Sequence, residues 1–183
     1  MAANNLFTPL TIGRLYLNNR IIMAPMTRLR ATPEDHIPTE PMIQYYAERA
    51  DAGLIIGEYS MIAPLTSVVY TEPGVYSPEQ LAEWKKITDA VHAKGGKIFC
   101  QLAHGGRTVH PDLNDGAEPV SASPIAVDGY THGPNGRLQY VVPRELTVNE
   151  IADIVELYAI AAKNCVDVAG FDGVEIHGAN GCL

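Results

Sequence analysis

The sequence alternates short apolar runs with helical patterns, and this order restricts the possible folds more than any other feature. Each run holds only a few consecutive apolar residues, many of them β-branched, which is typical of strands buried on both faces of a parallel sheet. There are four such runs: RIIMAPM (20–26), GLIIGEY (53–59), KIFCQLA (97–103) and DGVEIHG (172–178).

Three helical patterns lie between the runs. The first is predicted from about Thr39, as its N-cap, to Ala50. The second begins at Ser77 and the third at Thr147, and each start has the spacing of a capping box. The apolar stripes expected to face the sheet are Leu81, Trp84, Ile87 and Val91 in the second helix and Ile151, Ile154, Val155, Tyr158 and Ala162 in the third.

Strands that alternate with helices predict βαβ units around a parallel sheet. Ahead of them, LTIGRLYLN (10–18) is predicted to form a small hairpin that turns at Gly13. Long stretches follow the strands, the longest from about Ala103 to Leu146, whereas the helix-to-strand turns are short. Active sites of α/β folds lie at this carboxyl-terminal side of the strands.

The choice between an open sheet and a barrel depends on the first strand. It is followed by APMTRLR, without the glycine-rich phosphate turn of a doubly wound sheet, and the chain contains no P-loop. This favours a (β/α)8 TIM barrel. Four strands are half of the eight that such a barrel needs, so the chain is expected to supply about the first four βα units.

Composition narrows the class of protein and its partners. Hydrophobic residues make up 46% of the 183 residues, enough for one domain with a sizeable core, and the domain is predicted to span residues 1–183. A formal net charge of −8 disfavours nucleic acid and anionic membranes as partners.

The start of the chain and its cysteines bear on location. MAANNLFTPL lacks the features of a signal peptide, and no apolar run approaches the length of a membrane span. The three separated cysteines, Cys100, Cys165 and Cys182, indicate a reducing compartment rather than a disulfide framework. A cytoplasmic protein is expected.

Six segments then resemble the old yellow enzyme family of flavin-dependent ene-reductases, which includes the 12-oxophytodienoate reductase-like proteins. They occur in the family's order and cover nearly the whole chain. The segments are LFTPLTIG, NNRIIMAPMTRLRA, YYAERADAGLIIGE, YTEPGVYSPEQLAEWKKITDAVHAKGG, QLAHGGR and AGFDGVEIHGANGCL.

The resemblance implies an FMN-containing TIM barrel that reduces activated alkenes with NADPH or NADH. It also implies that this chain corresponds to the N-terminal half of a family member. Groups that hold the flavin phosphate are then expected outside the chain. Two alternatives stay open: a truncated, non-catalytic fragment or interaction module and, with less support, another (β/α) enzyme that binds phosphorylated sugars.

Five residues are implied to bind the flavin. Pro25, Met26 and Thr27 end the first strand, and the Thr27 hydroxyl matches a donor to the flavin C4 carbonyl. Gln101 ends the third strand, where its amide suits the imide edge of the ring. Tyr59 departs from the small residue usual in the family, and it either fills part of the flavin site or rearranges the loop.

The last seven residues carry the predicted catalytic groups. His177 and Asn180 are implied to hold the carbonyl or nitro oxygen of an enone, enal or nitroalkene while hydride reaches the β-carbon. Cys182 stands where the family usually has a proton-donating tyrosine, so it is either a shorter donor or a plain small residue. Tyr70 matches an aromatic residue of the substrate cavity.

Three further expectations follow. Ala103 replaces a tryptophan common in the family, which would either open the site or mark a site no longer maintained. A metal site is not expected, because no carboxylate or thiol is spaced to complete one with the histidines. The unpaired strand edges of a half barrel suggest a homo-oligomer or a complementing C-terminal half.

Overall fold

The computed structural model describes residues 5–183. The first four residues, part of the start at which no signal peptide is expected, lie outside this range. The strands are β1 (Leu10–Ile12), β2 (Leu15–Leu17), β3 (Ile22–Met23), β4 (Leu54–Met61), β5 (Ile98–Ala103), β6 (Val120–Ser121), β7 (Tyr130–Gly133), β8 (Gly136–Gln139), β9 (Arg144–Glu145) and β10 (Gly173–Ile176). The α-helices are α1 (Glu40–Ala47), α2 (Pro78–His92) and α3 (Val148–Asp167).

The main sheet contains four parallel strands in the order β10-β5-β4-β3. Each strand therefore lies beside the next main strand along the chain, without the reversal of order that marks a doubly wound sheet. This consecutive order is that of a sector of a (β/α) barrel. Within residues 5–183 the barrel is not closed, and β3 and β10 are its two edges.

The outer face of the sheet packs against the helices. The predicted stripe of α2 is confirmed, since Leu81, Trp84, Ile87 and Val91 are all buried. They join one core with the outward side chains of the two central strands, among them Ile55 of β4. Ser77 also caps α2 as predicted, through a complete capping box with Gln80.

The hairpin closes one end of the inner face. β1 and β2 pair as predicted around Gly13, whose φ of +59° suits a glycine. Leu17 of the hairpin is fully buried against Leu54 and Ile56 of β4. The other end of the inner face, at the carboxyl ends of the strands, stays open for the cavity described below.

Three sequence predictions are wrong in detail. Helix α1 ends at Ala47 rather than Ala50, because the amide of Arg49 bonds three residues back to Tyr46 and tightens the last turn. Thr39 is the N-cap, but its hydroxyl donates to the Arg30 carbonyl instead of capping a helix amide.

Helix α3 begins at the predicted capping box, but only the C-terminal part of its predicted stripe, Tyr158 and Ala162, packs against the core. Ala161 and Cys165 are its buried residues, whereas Ile151 and Val155 of the predicted stripe are 43% and 63% exposed. The buried pair lies in the C-terminal half of the helix, in one core with side chains of β5. Periodicity identified the apolar positions but not which of them reach the sheet.

The first and fourth runs are not buried on both faces, contrary to prediction. Ile22 of β3 and Ile176 of β10 are 51% and 66% exposed. Each edge strand has a neighbour on one side only among the described residues. The two central strands, by contrast, are almost wholly buried as predicted.

The long connection from about Ala103 to Leu146 is folded rather than structureless. It contains two short 3-10 turns, the antiparallel hairpin β7-β8 and the parallel pair β6-β9. Thr131 of the hairpin donates to the Val68 carbonyl at 2.6 Å, and Asn114 bonds both ways with Ser67. The connection is thereby joined to the loop after β4. Among residues 5–183, no helix is both long and apolar enough to cross a bilayer.

Candidate active site

A cavity of about 650 Å³ opens at the carboxyl ends of the main strands. Residues from all four strand ends line it, as the position of active sites in α/β folds requires. It brings together seven of the residues singled out in the sequence: Pro25, Thr27, Tyr59, Gln101, His177, Asn180 and Cys182.

Two other predicted site residues line different cavities. Met26 lines one of about 550 Å³ with Phe7 and Arg49, on the other side of the segment that carries Pro25 and Thr27. Successive side chains of an extended segment point to opposite sides, which accounts for this division. Tyr70 is 41% exposed and lines a cavity of about 480 Å³ between loops. The roles predicted for Met26 and Tyr70 stay predictions.

Gln101 is oriented by a carboxylate on the neighbouring strand. Its Nε2 donates to Glu175 Oε1 at 2.8 Å, and the two residues are direct partners in the β5-β10 register. This contact uses one of the two N–H groups and leaves the amide oxygen, so Gln101 retains both a donor and an acceptor. Glu175 was not singled out in the sequence. It lies two residues before His177, and side chains two apart along a strand face the same side, so the sequence contained a signal for it.

A β-bulge aims Tyr59 into the cavity. The β4-β5 register shifts between Ile56 and Tyr59, so that Glu58 turns toward α1 and Tyr59 lies opposite Gln101. The Tyr59 hydroxyl is buried without a hydrogen-bond partner among residues 5–183, and burial raises its pKa well above the ordinary value. The phenol is therefore neutral at physiological pH.

The small residue Ala103 accommodates this tyrosine. Ala103 is fully buried in one cluster with Tyr59 and Met61. Replacing the family's tryptophan by Ala103 was expected to open the site, but Tyr59 packs against Ala103 instead. The two departures at positions 59 and 103 are spatially coupled.

His177 and Asn180 are adjacent at the cavity rim. Asn180 Nδ2 lies 3.3 Å from His177 Nε2, so one oxygen could accept from both nitrogens. The His177 ring contacts Tyr59 edge-to-face at a centroid distance of 5.3 Å. His177 Nδ1 is buried and has no partner among the described residues, whereas Asn180 is exposed with a φ of +60°.

The segment after His177 is held by the turn after β5. The amide of Arg107 donates to the Cys182 carbonyl at 2.7 Å, and Arg107 Nε donates to the Gly181 carbonyl at 2.7 Å. Thr108 Oγ1 lies 3.5 Å from Cys182 Sγ. The Thr108 hydroxyl donates to the Gly105 carbonyl at 2.6 Å, so its oxygen is left to face the Cys182 thiol. Cys182 is thereby buried beside the cavity.

Nearby histidines serve the backbone. His104 Nδ1 accepts from the Gly106 amide and His110 Nδ1 accepts from the Asp112 amide. Burial lowers the pKa of His104 to about 4, so its ring is neutral. Among the residues that the structure describes, no three His, Cys, Asp or Glu side chains are grouped to hold a metal ion.

Seven other lining residues were not singled out in the sequence, because most are apolar side chains on the connections after the strands, where no polar group points to a site. They are Leu29, Val68, Val69, Thr108, Val127, Tyr140 and Ala179. With them the wall is mostly apolar and carries a few convergent polar groups, within the size range of small-molecule and cofactor sites. A flat heteroaromatic ring with polar edges fits such a wall. Thr27 and Gln101, which both line the cavity, carry a hydroxyl and an amide for such edges.

The fold and the site together define a class: part of a (β/α)-barrel enzyme whose cavity suits a flavin ring. A family model described as the NADH:flavin oxidoreductase / NADH oxidase family matches residues 5–183. The chain belongs to this family.

Known proteins resemble the chain over nearly all of its length. It is 46% identical over 181 residues to a Leishmania infantum protein named "Probable flavin mononucleotide-dependent alkene reductase", which covers 96% of this chain and 49% of the relative. It is 44% identical to 12-oxophytodienoate reductase 7 of Oryza sativa, over 97% of this chain and 46% of the relative.

A solved structure, the old yellow enzyme from Trypanosoma cruzi, superimposes with a TM-score of 0.93 at 45% identity. The match covers 98% of this chain and 52% of that structure. The chain therefore spans about half the length of the relatives it matches, and its open sheet corresponds to part of their TIM barrel.

Proposed function

We propose that residues 1–183 form one domain, the N-terminal half of an FMN-binding barrel. In a complete barrel this half takes part in reducing the C=C bond of α,β-unsaturated carbonyl or nitro compounds with NADPH or NADH. The observation that carries the proposal is the meeting of His177 and Asn180 with Thr27 and Gln101 at one cavity.

FMN, when bound, would supply the hydride that reaches the alkene. Pro25 would lie against the ring, Thr27 would donate to its carbonyl edge, and Gln101 would bind the imide edge with the donor and acceptor that Glu175 leaves available. Tyr59 would contact the ring through its aromatic face, and Met26 would support the same segment from behind. The cavity's apolar wall would exclude water from the ring.

His177 and Asn180 would bind the substrate oxygen. Their nitrogens are close enough to donate to one oxygen, which stabilises the negative charge that develops there as the β-carbon is reduced. Tyr70 would approach the outer part of a larger substrate. The α-carbon would receive its proton from Cys182 or from water.

Support for Cys182 as the proton source is weak. A thiol can donate a proton. However, its side chain is buried and its sulfur lies 3.5 Å from the Thr108 oxygen, which leaves little access to a substrate. Water is therefore the proposed proton source.

A second candidate function is a non-catalytic fragment or interaction module. It is favoured by the exposed apolar side chains on the unpaired edges, Ile22 and Ile176. Such edges pair readily with another chain. The corresponding partners are a second copy of this chain or a complementing C-terminal half.

The remaining partners and the location follow from charge and chemistry. A net charge of −8 disfavours nucleic acid and anionic membrane surfaces. Three free cysteines support a cytoplasmic location, where thiols stay reduced.

The test uses the purified chain, alone and co-expressed with the C-terminal half of the Leishmania infantum relative. Flavin absorbance after desalting and NADPH oxidation with 2-cyclohexenone are recorded. The proposal predicts a yellow complex with enone-dependent turnover when the complementing half is present. A colourless product without turnover in both preparations would support the non-catalytic alternative.

A further inference from the structure

A fully buried carboxylate lies directly behind the flavin-facing segment. Glu58, at the bulge of β4, is 0% exposed. Its Oε2 accepts from the Arg28 amide at 2.8 Å, and its Oε1 accepts from the Tyr46 hydroxyl of α1 at 2.9 Å. The Glu58 amide in turn donates to the same Tyr46 oxygen at 3.0 Å. One side chain thus joins three elements that meet behind the cavity.

The segment that it holds has few other attachments: the Thr39 hydroxyl donates to the Arg30 carbonyl, and the Arg28 guanidinium lies 4.8 Å from the centre of the Tyr45 ring. β3 ends at Met23, and the backbone bonds of the following connection resume at Ala31, whose amide donates to the Thr71 carbonyl at 3.2 Å. Between these points, Arg28 is the residue whose amide reaches Glu58. Thr27, the preceding residue, lines the cavity and is exposed.

We propose that Glu58 is a positioning residue, whose carboxylate holds the backbone at Arg28 and thereby sets the Thr27 side chain against the cavity. Its importance for a flavin rests on the proposed function, but the hydrogen bond itself does not. A buried carboxylate that accepts an amide makes a stronger hydrogen bond than a neutral oxygen does. The strength of the attachment therefore depends on the charge of Glu58.

The groups around Glu58 determine when that charge is present. Burial raises the pKa of Glu58 to about 7, against the opposing effects of the Arg28 amide, the Tyr46 hydroxyl and the Arg28 guanidinium, while the nearby Glu72 raises it slightly. The carboxylate is charged above about pH 7 and neutral below. The attachment at Arg28 is therefore stronger on the alkaline side.

Global stability responds to the same group with the opposite sign. Because the pKa in the folded state lies above the ordinary value of 4.5, the contribution of Glu58 to stability is fully present below pH 4.5 and is lost as the pH rises through about 7. As the pH rises through about 7, protection of the Arg28 amide from exchange should increase while the contribution of Glu58 to global stability decreases. The two effects are thus separable.

The test is amide hydrogen exchange of the ¹⁵N-labelled 183-residue chain, followed at Arg28 from pH 5.5 to 8.5 and corrected for intrinsic exchange. No flavin is needed, so failure of this proposal is distinguishable from failure of the proposed function. The protection factor of Arg28 is expected to rise about fivefold with pH, the difference between a charged and a neutral hydrogen bond. The Ala31 amide is the internal control, and its protection factor should not rise with pH.

Variants complete the design. In Glu58→Gln the amide oxygen can still accept from Arg28, so protection should stay at the acidic wild-type value at every pH. Glu58→Ala removes the acceptor, so its Arg28 protection factor should fall below those of the wild type and of Glu58→Gln. Glu34→Gln, which neutralises an exposed carboxylate of the same connection, should keep the wild-type profile.

Two results would overturn the proposal: a flat profile in the wild type, or the same rise in Glu58→Gln. If Glu58→Ala also loses protection at Ala31, the variant has unfolded. In that case the pH profiles of Arg28 protection in the wild type and in Glu58→Gln decide whether the proposal holds.

Discussion

At the scale of single residues, the candidate site depends on a few contacts that hold polar side chains at the cavity. The His177–Asn180 pair, the Gln101–Glu175 contact and the buried Glu58 each place one donor or acceptor. His177, Asn180 and Gln101 could be predicted to line one cavity, because they lie at or shortly after the ends of strands, within recognisable motifs. The place of Glu58 could not be predicted, since a bulge that no motif announces turns it away from the face expected for its position.

Gly106 offers a test of how the segment after β10 is held. Its φ is +55°, and a Cβ there would lie 1.9 Å from the Cys182 carbonyl oxygen. Gly106→Ala is expected to push this segment away and to expose the Cys182 thiol. The native protein should then react at least about tenfold faster with a thiol reagent, because access limits a buried cysteine.

Gly13→Ala is the matched control for Gly106→Ala. Its φ is +59°, but a Cβ there meets nothing within 4 Å. Both variants carry a backbone strain of roughly 1 kcal/mol, and only Gly106→Ala should change thiol reactivity. Equal reactivity in the two variants would show that the contact with Cys182 does not hold the segment.

At the scale of elements, a charged cluster attaches β10 to the sheet at the end opposite the cavity. Asp172 accepts from His92 of α2 at 2.8 Å, from Lys97 at 3.0 Å and from the Ile98 amide at 2.9 Å. Burial raises the pKa of Asp172, but these three hydrogen bonds outweigh it and hold the pKa below its ordinary value of 3.8. Strand β10, which ends one residue before His177, is thereby joined to both β5 and α2.

Asp172→Ala is expected to lower the free energy of unfolding by about 1–3 kcal/mol, because the Ile98 amide loses its acceptor. Urea unfolding at pH 7 measures the change. Because the pKa is depressed in the folded state, this contribution is present above the ordinary pKa of 3.8 and is lost as the pH falls through the lower folded value. The difference between wild type and variant should therefore shrink in acid.

Asp167→Ala is the control for Asp172→Ala. Asp167 pairs with Lys163 on the exposed surface of α3, four residues away. Exposed pairs of this kind contribute about 0.5 kcal/mol or less. A cost at Asp172 no larger than the cost at Asp167 would contradict the account of β10.

The helices show which buried faces could be predicted from the sequence. The α2 stripe was correct in full, because its four residues, from Leu81 near the start to Val91 near the end of the helix, all lie in the core. For α3, the same periodicity marked Ile151 and Val155, which remain exposed. Periodicity reports apolar spacing, whereas burial depends on which turns of the helix lie over a neighbouring element.

At the scale of the whole molecule, the described residues leave two unpaired parallel edges. The consecutive order of the strands and the position of the site could be predicted from the βα alternation and from the long loops after the strands. The exposure of the edges follows from the number of strands, because each edge strand lacks a neighbour on one side.

The edges predict self-association of the isolated chain. Ile176→Lys places a charge on the β10 edge, where Ile176 is 66% exposed, and should shift sedimentation toward the monomer. Val148→Lys is the control, because Val148 is 82% exposed at the start of α3 and does not belong to an edge strand. A wild-type chain that is already monomeric at high concentration would contradict this prediction.

The most direct test of the central claim compares the wild-type chain with His177→Ala/Asn180→Ala. Each is paired with the complementing C-terminal half, and kcat/KM for 2-cyclohexenone is measured with NADPH. His132→Ala, an exposed histidine outside the cavity, is the control. The double variant is expected to keep its flavin absorbance and to lose about 100-fold or more in kcat/KM, as is typical when donors to a developing oxyanion are removed. Turnover equal to that of the wild type, with flavin bound, would contradict the claim that this cavity is half of an ene-reductase site.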